Sequence, residues 1–188
     1  LVGAQEFFAK VAQLLLLVLQ LATREGYVYK TDTRLRPSGQ SGPLVTSLEG
    51  FERYHAESSA VWERQALIRA RVVCGPAPLA RRIEATIERF VLGRDLEPAE
   101  LVEIARLRAR MENELARENA RFLNLKVGRG GLVDIEFVAQ TIALAHGHEC
   151  PELHQRATRA LLGAAGALGL LSAGDHAVLA SAWSFLRG

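Results

Sequence analysis

Charged residues alternate along one extended stretch of the sequence, at a spacing that could support phosphoryl chemistry. In Tyr27–Leu35 (YVYKTDTRL), Lys30, Asp32 and Arg34 stand two residues apart, and Arg36 continues the row. If the segment is a β-strand, these side chains share one face at intervals of roughly 6–7 Å. A carboxylate that binds Mg²⁺, flanked by cations that balance phosphate charge, suits metal-assisted phosphoryl transfer. A solvated face with ordinary ion pairs gives the same pattern, and the spacing alone favours that interpretation.

A loop rich in glycine, serine and proline follows at residues 37–43 (PSGQSGP). Its backbone N–H groups, including those of Ser38 and Gly39, could point at a phosphate. The spacing matches neither a Walker-type nor a dinucleotide-type loop, so a plain turn is the favoured interpretation.

A second candidate group lies in WERQALIRARVV, which predicts a helix over residues 60–73. Glu63, Arg69 and Arg71 are possible secondary site residues there, and Glu63 and Arg71 would lie two turns apart along one side. An amphipathic helix that buries Trp62 explains the same residues without a site, and that explanation is favoured.

The glycine-rich segment Gly128–Gly131 precedes a predicted helix that carries Asp134 and Glu136, two further secondary candidates. A glycine loop at a helix N-terminus can hold an anion. Carboxylates in the first turns suit the helix dipole but would repel phosphate. Because the two residues are two positions apart, they point to different sides of the helix. A structural turn or a docking surface is therefore favoured.

Helices dominate the rest of the chain. Leu14–Leu19 (LLLLVL) is too short to span a membrane and is expected to form a buried helix face. Thr46 and Glu49 have the spacing of a capping box, and Pro98 is well placed to begin a long helix with one buried apolar stripe. The patterns predict helices at residues 4–24, 46–58, 60–73, 78–92, 98–123, 132–146, 154–169 and 173–187.

The composition of the 188 residues is that of a globular protein, with 49% hydrophobic residues and a net charge of +2. That charge is too small to indicate a nucleic-acid partner, and the helix predicted at 98–123 mixes both signs. Two cysteines without a signal peptide favour the cytoplasm. Since the sequence begins with Leu1 and ends within a helical pattern, we expect a piece of a longer protein.

Three stretches together resemble the bacterial glutamine synthetase adenylyltransferases: YKTDTRLRPSGQSGPLVTS, VWERQALIRARVV and GRGGLVDIEF. Their order and intervals fit that family as well. The resemblance implies a mainly α chain, in which a truncated α/β nucleotidyltransferase piece of polymerase-beta type precedes a helical bundle. The implied domains are the end of the nucleotidyltransferase domain at residues 1–46, connecting helices at 47–75 and a helical domain at 76–188.

The resemblance also implies a reaction. Family members transfer AMP from ATP to a tyrosine of glutamine synthetase, and a second module removes it by phosphorolysis. The nitrogen-regulatory PII signalling protein and glutamine set the balance. Asp32 matches the third metal-binding carboxylate of the family, so a catalytic role and a bond to Mg²⁺ are expected. The residues expected to face the nucleotide phosphates are Lys30, Arg34, Arg36, Ser38 and Gly39.

One departure from the family pattern matters. The Gly-Ser…Asp-x-Asp segment that supplies the other two carboxylates is absent before Asp32, so this chain alone is expected to be inactive. RPSG at Arg36–Gly39 is more similar to the carboxy-terminal, adenylylating half. The expected partners are glutamine synthetase and the PII protein, with neither nucleic acid nor membrane. The alternative is a helical regulatory module that binds a partner and has no catalytic role.

Overall fold

The structure is a computed structural model that describes residues 3–188, and this range holds eight α-helices, two short 3-10 helices and no β-strand. The mainly α class is therefore confirmed. In chain order the α-helices are α1 Ala4–Gln20, α2 Leu48–Glu57, α3 Val61–Leu67, α4 Ala77–Leu92, α5 Pro98–Leu115, α6 Leu132–His146, α7 Thr158–Ala167 and α8 Ala173–Arg187. The 3-10 helices are Gly39–Ser41 and Pro151–Leu153. The chain divides into two compact units, one ending at Ser59 and the other spanning Ala60–Gly188.

The predicted strand at Tyr27–Leu35 is wrong, because this segment is irregular backbone without a paired neighbour among the described residues. A strand exists only when another segment completes its hydrogen-bond ladder. Here the backbone bonds go elsewhere, since Tyr29 N donates to Leu19 O at 2.9 Å and Gln20 Nε2 donates to Thr31 O at 3.0 Å. The segment therefore turns back at the C-terminal end of α1, and Gln5 meets Val45 O near the other end of that helix.

Helix α1 is shorter than predicted and is not buried. It ends at Gln20, before the turn in which Gly26 has a φ of +99°. No residue of α1 is buried, and Leu14 is 61% exposed, so the expectation of a buried face at Leu14–Leu19 is wrong. The composition of this segment does favour a helix, because leucine and alanine have high helix propensity. None of the helices in residues 3–188 combines the length and the apolarity that crossing a bilayer requires.

The N-cap of helix α2 lies one residue later than predicted. Ser47 is its N-cap, and the Ser47 hydroxyl accepts a hydrogen bond from Gly50 N at 3.0 Å. Thr46 was the predicted cap. Both residue types cap well, so sequence alone does not distinguish two adjacent hydroxyl residues.

Helix α3 ends at Leu67, well before the predicted residue 73. Beyond it, Ala70 N bonds back to Leu67 O at 2.9 Å, and Arg156 Nε donates to Ala70 O at 2.9 Å. Tertiary contacts therefore take up the backbone where the helix would otherwise continue. Trp62 is 39% exposed rather than buried, so the core-tryptophan interpretation is also wrong.

Helix α5 begins at Pro98 as predicted but ends at Leu115 instead of residue 123. Arg117 follows with a φ of +49°, and the Asn124 side chain donates to Ala116 O at 3.2 Å. Both features end a helix. Of the predicted apolar stripe, Ile104 is buried, whereas Leu115 is largely exposed.

Helix α6 is the centre of the second unit and contacts α3, α4, α5, α7 and α8. Ala139, Ala143 and Leu144 are buried on it. The small alanines let neighbouring helices approach closely, which suits a helix packed on several sides. Leu161 and Leu162 of α7 complete the centre of the core, and every buried residue of the hydrophobic cluster belongs to Ala60–Gly188.

Candidate functional site

Asp32 and Arg34 form a compact ion pair on exposed, irregular backbone. Asp32 Oδ1 accepts from the backbone N and from Nε of Arg34, each at 3.0 Å. Asp32 Oδ2 accepts from Arg34 Nε at 2.8 Å and from Nη2 at 2.6 Å. The side chains are 55% and 70% exposed, so both remain within reach of a ligand.

This pair keeps the Asp32 carboxyl group ionised. The side-chain hydrogen bonds from Arg34, followed by the bond from its backbone N–H, lower the pKa of Asp32 from 3.8 to about 2. The same contact raises the pKa of Arg34. Asp32 therefore carries its full negative charge at neutral pH, as a metal ligand or an ion-pair partner must.

Arg36 organises the loop that follows. Its Nη1 donates to Thr33 O at 2.7 Å and to Thr33 Oγ1 at 2.9 Å. Its Nε donates to Gly42 O, and its Nη2 donates to Gln40 O, both at 3.2 Å. Since most of its N–H groups bind loop oxygens, the partly buried Arg36 holds residues 33–42 together, and it is not placed like a free phosphate ligand.

Ser38 and Gly39 form the tip of this loop. They have φ values of +60° and +56°, and Gly39 N donates to Arg36 O at 2.8 Å. Two consecutive left-handed residues are costly for most side chains and suit glycine and small polar residues. Ser38 is exposed, as is Lys30 before the loop. The loop is thus a defined turn with an accessible tip.

The described residues do not by themselves fit a magnesium ion. Asp32 is an ionised, exposed oxygen donor, which is the ligand type that Mg²⁺ prefers. However, residues 3–188 contain no group of three or more His, Cys, Asp or Glu side chains arranged for a metal. Asp32 is one suitable ligand, and its two oxygens already accept hydrogen bonds from Arg34.

The secondary candidates in the second unit fall into separate structural roles. Glu63 lies in the first turn of α3, where its carboxylate accepts from Ala60 N at 3.4 Å. Arg69 and Arg71 lie beyond the end of that helix, so the predicted alignment of Glu63 with Arg71 is wrong. Arg71 is exposed, whereas Arg69 Nη2 forms an ion pair with Glu136 at 2.8 Å.

Asp134 supports the glycine-rich turn. Its Oδ2 accepts from Gly130 N at 2.6 Å, and its Oδ1 pairs with Nε of Arg108. Arg108 also donates from Nη2 to Gly128 O at 3.1 Å. These bonds fold the turn against α5, which agrees with the favoured structural-turn interpretation. Asp134 contacts α5 while Glu136 reaches Arg69, as expected for residues on different sides of a helix.

Arg64 belongs to none of the candidate groups predicted from the sequence, and it is 1% exposed. Its Nε donates to Val91 O at 2.8 Å, its Nη1 donates to Asp95 O at 3.1 Å, and its Nη2 bonds to Arg94 O. These carbonyls belong to the C-terminal end of α4 and the residues after it, so Arg64 caps that helix. Burial, followed by repulsion from Arg94, lowers the pKa of Arg64 to about 10.

A buried amide pair was missed as well. Gln65 Nε2 donates to Gln140 Oε1 at 2.9 Å, and both side chains are buried. This bond joins α3 to α6 inside the core. The polar residues flank apolar positions in both helices, and the sequence pattern alone carried no signal that they meet.

Comparison with known proteins gives a family match for each of two parts of the chain. Residues 2–86 match the family described as glutamate-ammonia ligase adenylyltransferase, and residues 105–188 match the family described as GlnD PII-uridylyltransferase.

Individual relatives agree with the first match. A bifunctional glutamine synthetase adenylyltransferase/adenylyl-removing enzyme of Methylococcus capsulatus is 40% identical over 97% of this chain and 19% of its own length. Enzymes with the same name from Nitrosococcus oceani and Idiomarina loihiensis are 41% and 38% identical, over 96% and 99% of this chain and 19% and 20% of their own lengths. This chain belongs to the glutamine synthetase adenylyltransferase family, and it spans about a fifth of the length of these relatives.

Proposed function

We propose that this chain is part of an enzyme that transfers AMP from ATP to a tyrosine of glutamine synthetase, and that Asp32 belongs to its nucleotidyl-transfer site. The observation that carries the proposal is the exposed, ionised carboxylate of Asp32, held in place by Arg34. Nucleotidyl transfer requires ionised oxygen ligands and cations near the phosphates. The names of the relatives support the choice of reaction.

Each candidate site residue between Lys30 and Gly39 has its own role in this proposal. Asp32 is one of several Mg²⁺ ligands, and the others come from outside the described residues. Arg34 and Lys30 have exposed cationic groups that can contact phosphate oxygens. Arg36 acts through the loop it holds. At the tip of that loop the exposed Ser38 faces the nucleotide, and Gly39, whose N–H donates to Arg36 O, shapes the turn beside it. Since this chain supplies one ligand of the set, it is inactive when isolated.

The wider assignment follows the resemblance in sequence. We assign the chain to the adenylylating, carboxy-terminal half, on the basis of RPSG at Arg36–Gly39. Residues 1–46 then close the nucleotidyltransferase domain, 47–75 connect it, and 76–188 form the helical domain. The whole enzyme uses ATP with Mg²⁺, acts in the cytoplasm on glutamine synthetase, and responds to the PII protein.

The decisive experiment uses the full-length enzyme that contains this chain. Asp32→Asn keeps the size of the side chain and removes its charge. AMP incorporation into glutamine synthetase and AMP removal are assayed separately. We expect one activity to fall by about a thousandfold, as for loss of a group that acts on the transition state, with the other retained.

Glu25→Gln is the matched control, because Glu25 is another exposed carboxylate of the same unit. It should leave both activities within about twofold of the unmodified enzyme. Retention of both activities by Asp32→Asn would disprove the catalytic assignment.

A second candidate function is a helical regulatory module that binds a partner and leaves catalysis to other parts of the enzyme. The observation that favours it is that Ala60–Gly188 has its own hydrophobic core and also matches a second family over 105–188. Under this alternative, Asp32→Asn changes the response to PII or glutamine but leaves both basal activities intact. The same assays, repeated with and without effectors, separate the two functions.

A further inference from the structure

Four arginines surround a pocket of about 390 Å³ on the helical unit Ala60–Gly188. Arg69 approaches from the segment after α3. Arg156 precedes α7, and Arg159 lies in the first turn of that helix. Arg187 closes the pocket from the last turn of α8. Like charges gathered around one opening repel each other, so counter-charges stabilise the arrangement. We call this site the arginine pocket.

Two of these arginines already have carboxylate partners. Arg69 pairs with Glu136 at 2.8 Å, and Arg156 pairs with Glu84 at 3.3 Å. Both guanidinium groups are therefore largely neutralised by the protein itself.

The other two arginines are uncompensated. In the part of the chain that the structure describes, no carboxylate lies within ion-pair distance of Arg159 or Arg187. The arginine pocket thus keeps two positive charges for a ligand. The beginning of α7 lies at the same place, and the dipole of that helix adds potential of the same sign.

Two arginines of the pocket, Arg69 and Arg187, are held in position by other contacts. Arg69 Nη2 donates to Oγ1 of Thr158 at 2.7 Å, and Thr158 is buried. The guanidinium of Arg187 lies over the ring of Trp183, 5.6 Å from its centroid. Such contacts reduce the side-chain entropy that binding must remove.

We propose that the arginine pocket binds the phosphate group of a small phosphorylated molecule or of free inorganic phosphate. A phosphate near neutral pH carries between one and two negative charges, which matches the two uncompensated arginines better than a single carboxylate does. Guanidinium groups bind phosphate oxygens through paired N–H donors. The proposal is independent of the role of Asp32, because every residue of the pocket belongs to the unit Ala60–Gly188.

The test is calorimetric titration of the 188-residue chain with inorganic phosphate in a low-salt buffer. The double variant Arg159→Gln/Arg187→Gln removes both uncompensated charges. We expect it to weaken phosphate binding at least about tenfold, since hydrogen bonds between ionised groups are stronger than those between neutral groups. Arg106→Gln, at an exposed arginine on α5 outside the pocket, should change affinity less than about twofold.

A third variant tests the charge balance in the opposite direction. Glu84→Gln frees Arg156 from its carboxylate and should tighten phosphate binding by a few-fold. Circular dichroism of each variant verifies that the helices remain folded. The proposal is overturned if the chain binds no phosphate up to about 10 mM, or if the double variant binds as well as the original chain.

The source of the phosphate is identified by repeating the titration with glycerol 2-phosphate. Tighter binding of this ester than of inorganic phosphate assigns the arginine pocket to a phosphorylated metabolite. Equal or weaker binding of the ester assigns it to the free ion. Both results uphold a phosphate site, provided that the double variant weakens binding of the same compound at least about tenfold.

Discussion

Arg69 and Glu136 form an ion pair of 2.8 Å that joins two separated stretches of the sequence, WERQALIRARVV and GRGGLVDIEF. Arg69 follows α3, and Glu136 lies in the first turns of α6. The pair is partly exposed, at 42% and 25%, so its contribution to stability is modest, about 1 kcal/mol or less. The main effect of the ion pair is on the position of Arg69, which it keeps against Thr158 at the entrance of the arginine pocket.

The buried amide pair between α3 and α6 makes a prediction about paired substitution. Gln65→Leu or Gln140→Leu alone leaves a buried polar group without its partner and should lower the free energy of unfolding by about 1–3 kcal/mol. The double variant replaces both polar groups and should be nearly as stable as the original chain. Urea denaturation of the four proteins measures the coupling, and strictly additive losses would contradict this account.

Arg64 should be among the least replaceable residues of the second unit. Arg64→Met keeps an unbranched apolar side chain but removes the side-chain donor to the carbonyls of Val91 and Arg94, whereas Asp95 O keeps its bond from Arg94 Nη1. We expect the free energy of unfolding to fall by about 3 kcal/mol in urea denaturation. Arg106→Gln, on the exposed side of α5, is the comparison and should stay within about 0.5 kcal/mol of the original. Equal effects at the two sites would refute the capping role of Arg64.

Two glycines should respond to alanine with opposite signs. A Cβ at Gly128 would lie 2.2 Å from Glu118 Oε1 and 2.6 Å from the backbone oxygen of Asn124. Gly128→Ala should therefore destabilise the chain by about 1–3 kcal/mol. At Gly163, inside α7, a Cβ would meet nothing within 4 Å, so Gly163→Ala should stabilise by about 0.5–1 kcal/mol. Thermal unfolding of both variants tests the pair, and a shift of the same sign in both would be contrary to expectation.

The ion pair at Asp32 makes a prediction about pH. Its pKa in the folded chain, about 2, lies below the ordinary 3.8, so the stabilisation from this pair is complete above about pH 4 and is lost as the pH falls toward 2. Arg34→Gln should return the Asp32 titration toward 3.8. Carbon-13 NMR of the carboxyl group measures the midpoint. Lys10→Gln removes an exposed cation that pairs with Glu6 and should leave that midpoint unchanged.

Helix boundaries were predictable where local signals set them. Residues 132–146 and 173–187 agree with α6 and α8, because Gly131 and Gly147 flank the first and Ser172 caps the second. Pro98 predicted the beginning of α5, because proline is favoured at the first position of a helix. Errors arose where distant contacts decide, as at the end of α3, where Arg156 takes the carbonyl of Ala70.

The candidate site was predictable in part. Charges at Asp32 and Arg34 indicated an ion pair, and the structure contains it. The segment Tyr27–Leu35, which carries these two residues, does not form a β-strand because no described segment pairs with it. The buried role of Arg64 was detectable in the sequence, because Arg64 lies on the same helical stripe as Val61 and Ile68, which are buried. A cation on an apolar stripe usually has a structural partner.

Helix α1 sets a practical condition for laboratory work with this chain. More than half of the surface is exposed to solvent at Phe7, Leu14 and Leu17. Exposed apolar surface of this kind promotes aggregation at high protein concentration. The residues that form the core cluster all lie after Ser59. A protease site engineered between Ser59 and Ala60 would therefore separate the exposed apolar helix α1 from the unit that has its own hydrophobic core.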